Sequence, residues 1–488
     1  MTNAALWKSR MREIRTYGLT RGKVAPCSAA ASLCKSMIVM AVAAVAALGA
    51  WGNESVTVGA SSPRSGEAVY PIMCWTYMQF EEQTRPVEQV VKDWKDLGIT
   101  HPLMPGTTPK TDKAAVRHML DLCNEAGLKP LMNDSRVRGG CYEFMRDGNA
   151  EAYRAGVRSA LADWGTHPAV SGFFLFDEPT SNMTAGICAC AKMCREIDPG
   201  KFWYLNLLPW YDWIADTIGS PAYAPYLDRM ADDATLPEIG YDCYSQQNEV
   251  DRTQGEDVYF NNLREWMELT KRRPGFRYNV TQLCVPHHHY VIASVDDFRW
   301  QISTAAAMGA KGICWFYVDM SSKVQGRGEN YREAPINEFG ERTQTYQWLS
   351  TENRIFQREY GSEFMRLTIE GAYMVHREAK GGVPLFAGDR DVLSVSGPTP
   401  VLVSFFHDDE GVRYMAAVNL SRKQSAHVNF LFHPDVKPFR RLFAREYVPM
   451  HTATDPVGAR TVDSRPGNRA ANFLAPGQLL LVKLAREG

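Results

Sequence analysis

Two adjacent carboxylates follow a run with no charge in it: Gly172-Phe173-Phe174-Leu175-Phe176, then Asp177-Glu178-Pro179. Carboxylates so placed at the mouth of an apolar strand repel each other and lose part of their hydration. Both effects raise the pKa of one of them, as a general acid working at neutral pH requires. The local alternative is that Asp177 caps the helix that follows. A third carboxylate, Asp242, ends Ile239-Gly240-Tyr241-Asp242-Cys243-Tyr244-Ser245. It suits a nucleophile, a base or a group that orients a substrate hydroxyl, with Tyr241 and Tyr244 to orient it. A purely structural hydrogen bond explains it equally well.

Other chemistry-bearing residues sit at the ends of similar runs. Asn133-Asp134-Ser135 ends one, Gln282 ends another just before His287-His288-His289, and Trp315-Phe316-Tyr317 ends a third. Trp75 and Tyr77 end the first run. Trp75, Trp203, Trp210 and Trp315 are candidate flat platforms for the apolar face of a ligand, against the alternative that each is core. The candidate binding set is thus Trp75, Tyr77, Asn133, Tyr241, Tyr244, Gln282, His287 and Trp315. Side chains of three consecutive histidines diverge, so at most two could share an ion, and no further ligand is evident upstream. No metal is expected. Of 11 cysteines, Cys27 and Cys34 fall in the leader, and the odd remainder leaves at least one thiol without an intramolecular partner. Cys188, Cys190 and Cys194 cluster on a predicted helix with no second cluster facing them, which is not a zinc pattern. Neither a Ser-His-Asp arrangement nor a phosphate loop is apparent.

These residues need strands to hold them. Apolar, β-rich runs occur at Val69–Tyr77, Ile99–Pro105, Leu128–Asp134, Val170–Pro179, Phe202–Pro209, Pro237–Ser245, Phe276–Val285 and Gly312–Met320. Helical patterns separate them, at Pro86–Leu97, around Ala115–Cys123, and at Ala150–Trp164, Thr184–Ile197, Pro221–Met230, Glu256–Lys271, Asp296–Met308 and Glu338–Arg358. Pro225 would interrupt the one beginning at Pro221. Eight strands each followed by a helix predict a (β/α)8 barrel over residues 66–358, whose catalytic residues lie at the carboxyl ends of the strands. The alternative, an open doubly wound sheet, usually has fewer strands and a glycine-rich turn after the first, where this chain has Cys74-Trp75-Thr76-Tyr77. From about Gly361 short alternating runs separated by Gly, Pro and Asp turns predict an all-β sandwich over 361–488 that carries no catalytic residue.

The chain has 488 residues and a net charge of −1, from 54 Lys and Arg against 55 Asp and Glu. That balance argues against a nucleic-acid partner, and 45% hydrophobic residues exclude global disorder. Residues 1–60 read as a leader. Lys8, Arg10, Arg12, Arg15, Arg21, Lys23 and Lys35 precede or flank the apolar run Met37–Ala50, which is shorter than the roughly 20 residues of a spanning helix. This predicts a secretory signal with a long basic segment, cleaved after Ala50 or Ala60, and a secreted or periplasmic protein with no membrane contact afterwards. The competing reading is an uncleaved anchor.

The stretch Tyr70–Arg358 resembles the clan A glycoside hydrolases, and a bacterial group of secreted ones in which a β-sandwich follows the barrel. The resemblance rests on GFFLFDEPT, IGYDCYS and RWQISTAAAMGAKGICWFYV, in that order. It implies an oligo- or polysaccharide substrate, no cofactor, and Glu178 as acid/base. Trp315 would then floor the sugar bound at the cleavage point. Two departures accompany it: the clan has Asn before that Glu where this chain has Asp177, and the clan's nucleophilic Glu ends strand seven, where this chain offers Gln282. The Asp-Glu pair also resembles the substrate-assisted β-N-acetylhexosaminidases. There the substrate's acetamido oxygen attacks the anomeric carbon, the Asp orients it and the Glu protonates the leaving oxygen. Asp242 as partner to Glu178 is the other solution. A carboxyl separation of ~5–5.5 Å would then imply retention and ~6.5–9.5 Å inversion. A carbohydrate-binding barrel without catalysis is the non-enzymatic reading.

Overall fold

Strands buried on both faces read as continuous apolar runs rather than alternating ones, and they pair in parallel beneath a layer of helices. The computed structural model, which describes residues 68–321, 330–375, 379–450 and 467–486, has that architecture. The leader and its cleavage sites lie outside the described residues. Eight parallel strands close a barrel in chain order: β1 (Ile72–Cys74), β2 (His101–Thr107), β3 (Leu131–Asp134), β4 (Gly172–Asp177), β5 (Phe202–Leu207), β6 (Glu238–Asp242), β7 (Arg277–Leu283) and β8 (Ile313–Phe316). Closure is made by β1 on β8, with Ile72 opposite Ile313 and Cys74 opposite Trp315. The helices of the outer layer are α1 (Val87–Asp96), α2 (Lys113–Glu125), α3 (Arg138–Asp147), α4 (Ala150–Ala160), α5 (Ser181–Ile197), α6 (Tyr223–Ala234), α7 (Arg252–Arg272), α8 (Val295–Ala307) and α9 (Gln344–Phe356).

Local chemistry explains where the helices begin. Asp112 caps α2 by accepting from the amides of Ala114 and Ala115. Ser294 and Asp297 form a reciprocal capping box at α8. Pro225 does not break α6, because it falls in the first turn, where no backbone N–H is needed. Helix α3, between β3 and α4, was not expected from the sequence, and it brings Arg138 to the carboxyl side of the barrel. The nine cysteines from Cys74 to Cys314 are all free and buried.

Beyond the barrel the named strands of the described residues pair antiparallel with one another. A six-stranded sheet runs in the order β15-β14-β17-β12-β11-β9 and a three-stranded sheet in the order β10-β13-β16. The strands are β9 (Thr368–Val375), β10 (Val392–Ser396), β11 (Val401–His407), β12 (Arg413–Asn419), β13 (Ala426–Phe432), β14 (Val436–Phe443), β15 (Glu446–Pro449), β16 (Asn468–Leu474) and β17 (Leu479–Arg486). The larger sheet is a middle layer. Leu402, Phe406, Tyr414, Ala416, Val418 and Leu481 join the barrel's core. The alternate residues Val401, Val403, Phe405, Met415, Ala417 and Val482 join the core shared with the smaller sheet. At the junction the indole of Trp300 donates to Leu420 O at 3.0 Å. Gly477, at φ +68°, comes so near the Trp300 backbone that a Cβ there would lie 2.6 Å from its nitrogen. Arg422, on the turn after β12, lies 4.0 Å over the Trp300 ring and donates to Gln247 Oε1 (3.1 Å) and Asp297 Oδ1 (3.2 Å).

Candidate active site

The carboxyl ends of β4, β5 and β6 bring three acids together. Pairing of β4 with β5 slips by one residue between Phe174 and Phe176, so that Asp177 lies opposite Asn206. Without the slip, Asp177 would fall on the face opposite Phe174. With it, both look into the barrel, and such bulges are common beside active sites. Asn206 in turn lies beside Gly240 of β6, two residues before Asp242.

Asn206 is the hub. Its Nδ2 donates to Asp177 Oδ1 (3.1 Å) and to Asp242 Oδ1 (3.0 Å). Its Oδ1 accepts from the hydroxyls of Tyr204 (3.4 Å) and Thr281 (3.3 Å), which lie 3.1 Å from each other. With two hydroxyls donating to its oxygen, the amide turns its NH2 group toward the acids. Glu178 follows directly, its amide donating to Asn206 O at 2.8 Å. It holds φ +48°, a left-handed conformation that is costly for a residue with a side chain and concentrates at functional sites. Its side chain stays accessible to solvent, whereas Asp242 is only 8% exposed.

The electrostatics follow from that crowding. Loss of hydration raises all three acids. Asp177 is pushed up to about 7, by burial first and then by the charge of Glu178, against the Asn206 hydrogen bond and the charge of Arg138. Asp242 is held well above the usual carboxylate range by burial and by the charges of Glu178 and Asp177. Glu178 is raised by burial but lowered by a hydrogen bond from Asp242. A proton held on Asp242 and donated to Glu178 accounts for both directions, so the pair titrates as a unit. Arg138 lies 5.0 Å over the Phe174 ring in the same mouth.

The wall of the mouth is aromatic. Phe316 stacks on Tyr244 at 5.5 Å and packs against Tyr77 (5.7 Å) and His287 (5.3 Å). Tyr77 is 44% exposed. The charges of all three acids reach the hydroxyls of Tyr77 and Tyr244. His287 Nδ1 is within 2.9 Å of Val285 O. Asn133 is buried at the end of β3, on the face opposite its neighbour Asp134. Asp134 is engaged away from the lumen by Arg136 and by the Trp164 indole.

Four expected binding residues lie elsewhere. Tyr241 faces the helices, stacked on Trp266 at 5.0 Å with its hydroxyl unpartnered, so it does not orient Asp242. Trp315 also faces outward and donates to Asn353 Oδ1 at 2.9 Å; Phe316 takes the place expected for it. Gln282 is fully buried behind β7, donating to the Tyr259 hydroxyl at 2.8 Å and accepting from Gln246 at 2.8 Å. Strand parity is the common cause: residues next to an inward-facing one face outward. Trp75 points inward but is packed edge-on against Phe174 at 5.1 Å as interior core. Trp203 likewise stacks on Phe173 behind the strands. Sequence reasoning missed Asn206, Tyr204, Thr281, Phe316 and Arg138. The readable signal for Asn206 was a lone amide near the carboxyl end of Phe202-Trp203-Tyr204-Leu205-Asn206-Leu207. Among the described residues no group of three or more His, Cys, Asp or Glu side chains converges as a metal site.

No family model matches the sequence, and no curated protein matches it. Solved structures do share its fold. One described as a glycoside hydrolase is 10% identical, with a TM-score of 0.50 over 86% of this chain and 92% of its own. A family 39 glycoside hydrolase from the gut symbiont Bacteroides cellulosilyticus WH2 is 10% identical, with a TM-score of 0.47 over 86% and 81%. A GH27 β-L-arabinopyranosidase from Geobacillus stearothermophilus is 13% identical, with a TM-score of 0.45 over 86% and 98%. At these identities the likeness is one of fold, a (β/α)8 barrel followed by a β domain.

Proposed function

We propose that the chain is a glycoside hydrolase whose working groups are Glu178 and Asp242, acting on an oligo- or polysaccharide outside the cytoplasm. The observation that carries this reading is the convergence of three carboxyl groups with raised pKa values at the carboxyl face of the barrel, beside an aromatic wall. Glu178 is the member of the pair that reaches solvent, so it delivers the proton to the leaving glycosidic oxygen. Asp242, behind it, passes the shared proton to Glu178 as the glycosidic bond breaks, and the pair takes a proton back from the water that attacks the anomeric carbon. Asn206 keeps Asp242 and Asp177 at fixed positions.

A second reading is favoured by one contact. Glu178 and Asp242 are in hydrogen-bond contact, which is closer than the ~5–5.5 Å between acid and nucleophile in retaining enzymes. A nucleophile supplied by the substrate's own acetamido group, oriented by Asp177, needs no second carboxylate across the sugar. The two readings separate by mutation. Under the first, Asp242→Asn is the more damaging change; under the second, Asp177→Asn is, and only 2-acetamido sugars are cleaved. The test of the activity itself is Glu178→Gln. Hydrolysis of unactivated glycosides is expected to fall ~10²–10⁴-fold. Glycosides with acidic leaving groups, which need little protonation, should lose much less. Equal losses on both kinds of substrate would remove Glu178 from the acid role.

A further inference from the structure

Trp213 is 70% exposed, on the loop that leaves β5 at the carboxyl face of the barrel. An indole is large and apolar, and a chain that buries most of its tryptophans has no packing reason to leave this one in water. Its geometry is also fixed. Its ring lies 5.3 Å from that of Tyr211 with only 5° between the planes. One indole face is therefore taken by Tyr211, while the ring as a whole stays open to solvent.

Tyr211 ties this plate to the candidate site. Its hydroxyl accepts from Ser245 Oγ at 3.1 Å, and Ser245 is three residues beyond Asp242 on the same strand end. The charge of Asp242 reaches that hydroxyl as well. Ser245, Tyr211 and Trp213 thus form a chain of contacts that leads from the strand end bearing Asp242 out to the exposed indole.

We infer that the stacked Tyr211–Trp213 pair is an outer sugar-binding platform, on which a ring of the glycan beyond the cleavage point lays its C–H face. The inference rests on the reading of the mouth as a glycosidase site and adds the substrate class: a glycan of more than one residue, held across the rim. The C–H face of a pyranose carries partial positive charge, and the face of an indole is negative, so the two attract as they exclude water. Because Tyr211 already holds the indole in place, a ligand loses little to ordering it.

The experiment reads binding in the full-length chain, and every protein in the titration, the wild-type reference included, also carries Glu178→Gln so that bound glycan is not consumed. A glycan array selects the best oligosaccharide for the wild type. That oligosaccharide and the monosaccharides it contains are then titrated by saturation-transfer NMR against wild type, Trp213→Ala, Trp213→Phe and, as a control, Phe473→Ala, an exposed aromatic of the β domain. Trp213→Ala should weaken the oligosaccharide about tenfold, with Trp213→Phe between the two and Phe473→Ala equal to wild type. Monosaccharides, too short to reach the rim from the centre, should lose less than twofold. The platform is overturned if Trp213→Ala leaves oligosaccharide affinity intact, if it weakens monosaccharides equally, or if no oligosaccharide binds the wild type. Binding that depends on Trp213, with no glycoside hydrolysed by the chain that keeps Glu178, supports the platform while removing the enzymatic reading. Hydrolysis of aryl monoglycosides by that chain, with no dependence of glycan binding on Trp213, does the reverse.

Discussion

Asp177 shows what the site costs the molecule. Burial and the charge of Glu178 push its carboxyl up to about 7 in the folded chain, from an ordinary aspartate value of about 3.9. A raised acid contributes stability that is fully present below its unfolded pKa and is lost as pH rises through its folded one. The window here runs from about pH 4 to about pH 7. Asp242 is displaced in the same direction. Asp177→Asn keeps the shape and an acceptor for Asn206 but cannot ionise. Its melting temperature should equal that of the wild type near pH 4 and exceed it near pH 8, measured by differential scanning fluorimetry across that range. A higher melting temperature at pH 4 and equality at pH 8 would reverse the assigned sign. Buried like charges kept at the expense of stability are a mark of function rather than of folding.

At the scale of strands, β5 matters as much as the strands bearing acids. Asn206 lowers the pKa of both Asp177 and Asp242 by donating to them. Asn206→Ala removes that donor, so both acids rise further, and the limb of activity that requires a protonated carboxyl should move to higher pH. A hydrogen bond to a charged group is worth enough to shift it by about one unit, which a kcat/KM profile against pH resolves. The same strands show how far a sequence can be read. Asp177, Glu178 and Asp242 were legible because charge at the end of an apolar run is conspicuous. Of their expected binding neighbours, Tyr241, Gln282 and Trp315 were misjudged because the run of a strand does not state its phase. Trp315 was expected at the mouth and Phe316 occupies it; Tyr241 was expected beside Asp242 and faces the helices. The phase of β4 is reset by a bulge that no residue type announces. In the β domain, β14, β15 and β16 left no clear signal; β14 interleaves a proline and three basic residues with its apolar ones.

At the scale of the whole molecule, the barrel and the larger sheet share one apolar core, and Arg422 fastens them. Its guanidinium reaches from the β domain to Gln247, on the turn just after Tyr244, and to the buried Asp297 of α8. Replacing it by Ala leaves Asp297 with Arg252 at 3.3 Å as its remaining ion pair and uncovers Trp300. Removing one partner of a buried pair typically costs roughly 3 kcal/mol or more. Arg422→Ala should therefore lower the urea midpoint without changing the slope, while calorimetry of the wild type should show a single transition for barrel and β domain together. Two separated transitions would mean that the shared core does not couple them.

The nine sheltered thiols give the protein an internal clock. No disulfide joins them and the fold covers every one, so an alkylating reagent finds each cysteine only when the segment around it opens. Pulse alkylation read by peptide mass spectrometry would rank the segments by lifetime. Cys74, Cys243, Cys284 and Cys314, on or beside the barrel strands, should label last and together, at the rate of global unfolding. Cys123 on α2, at the barrel's periphery, should label no later than they do.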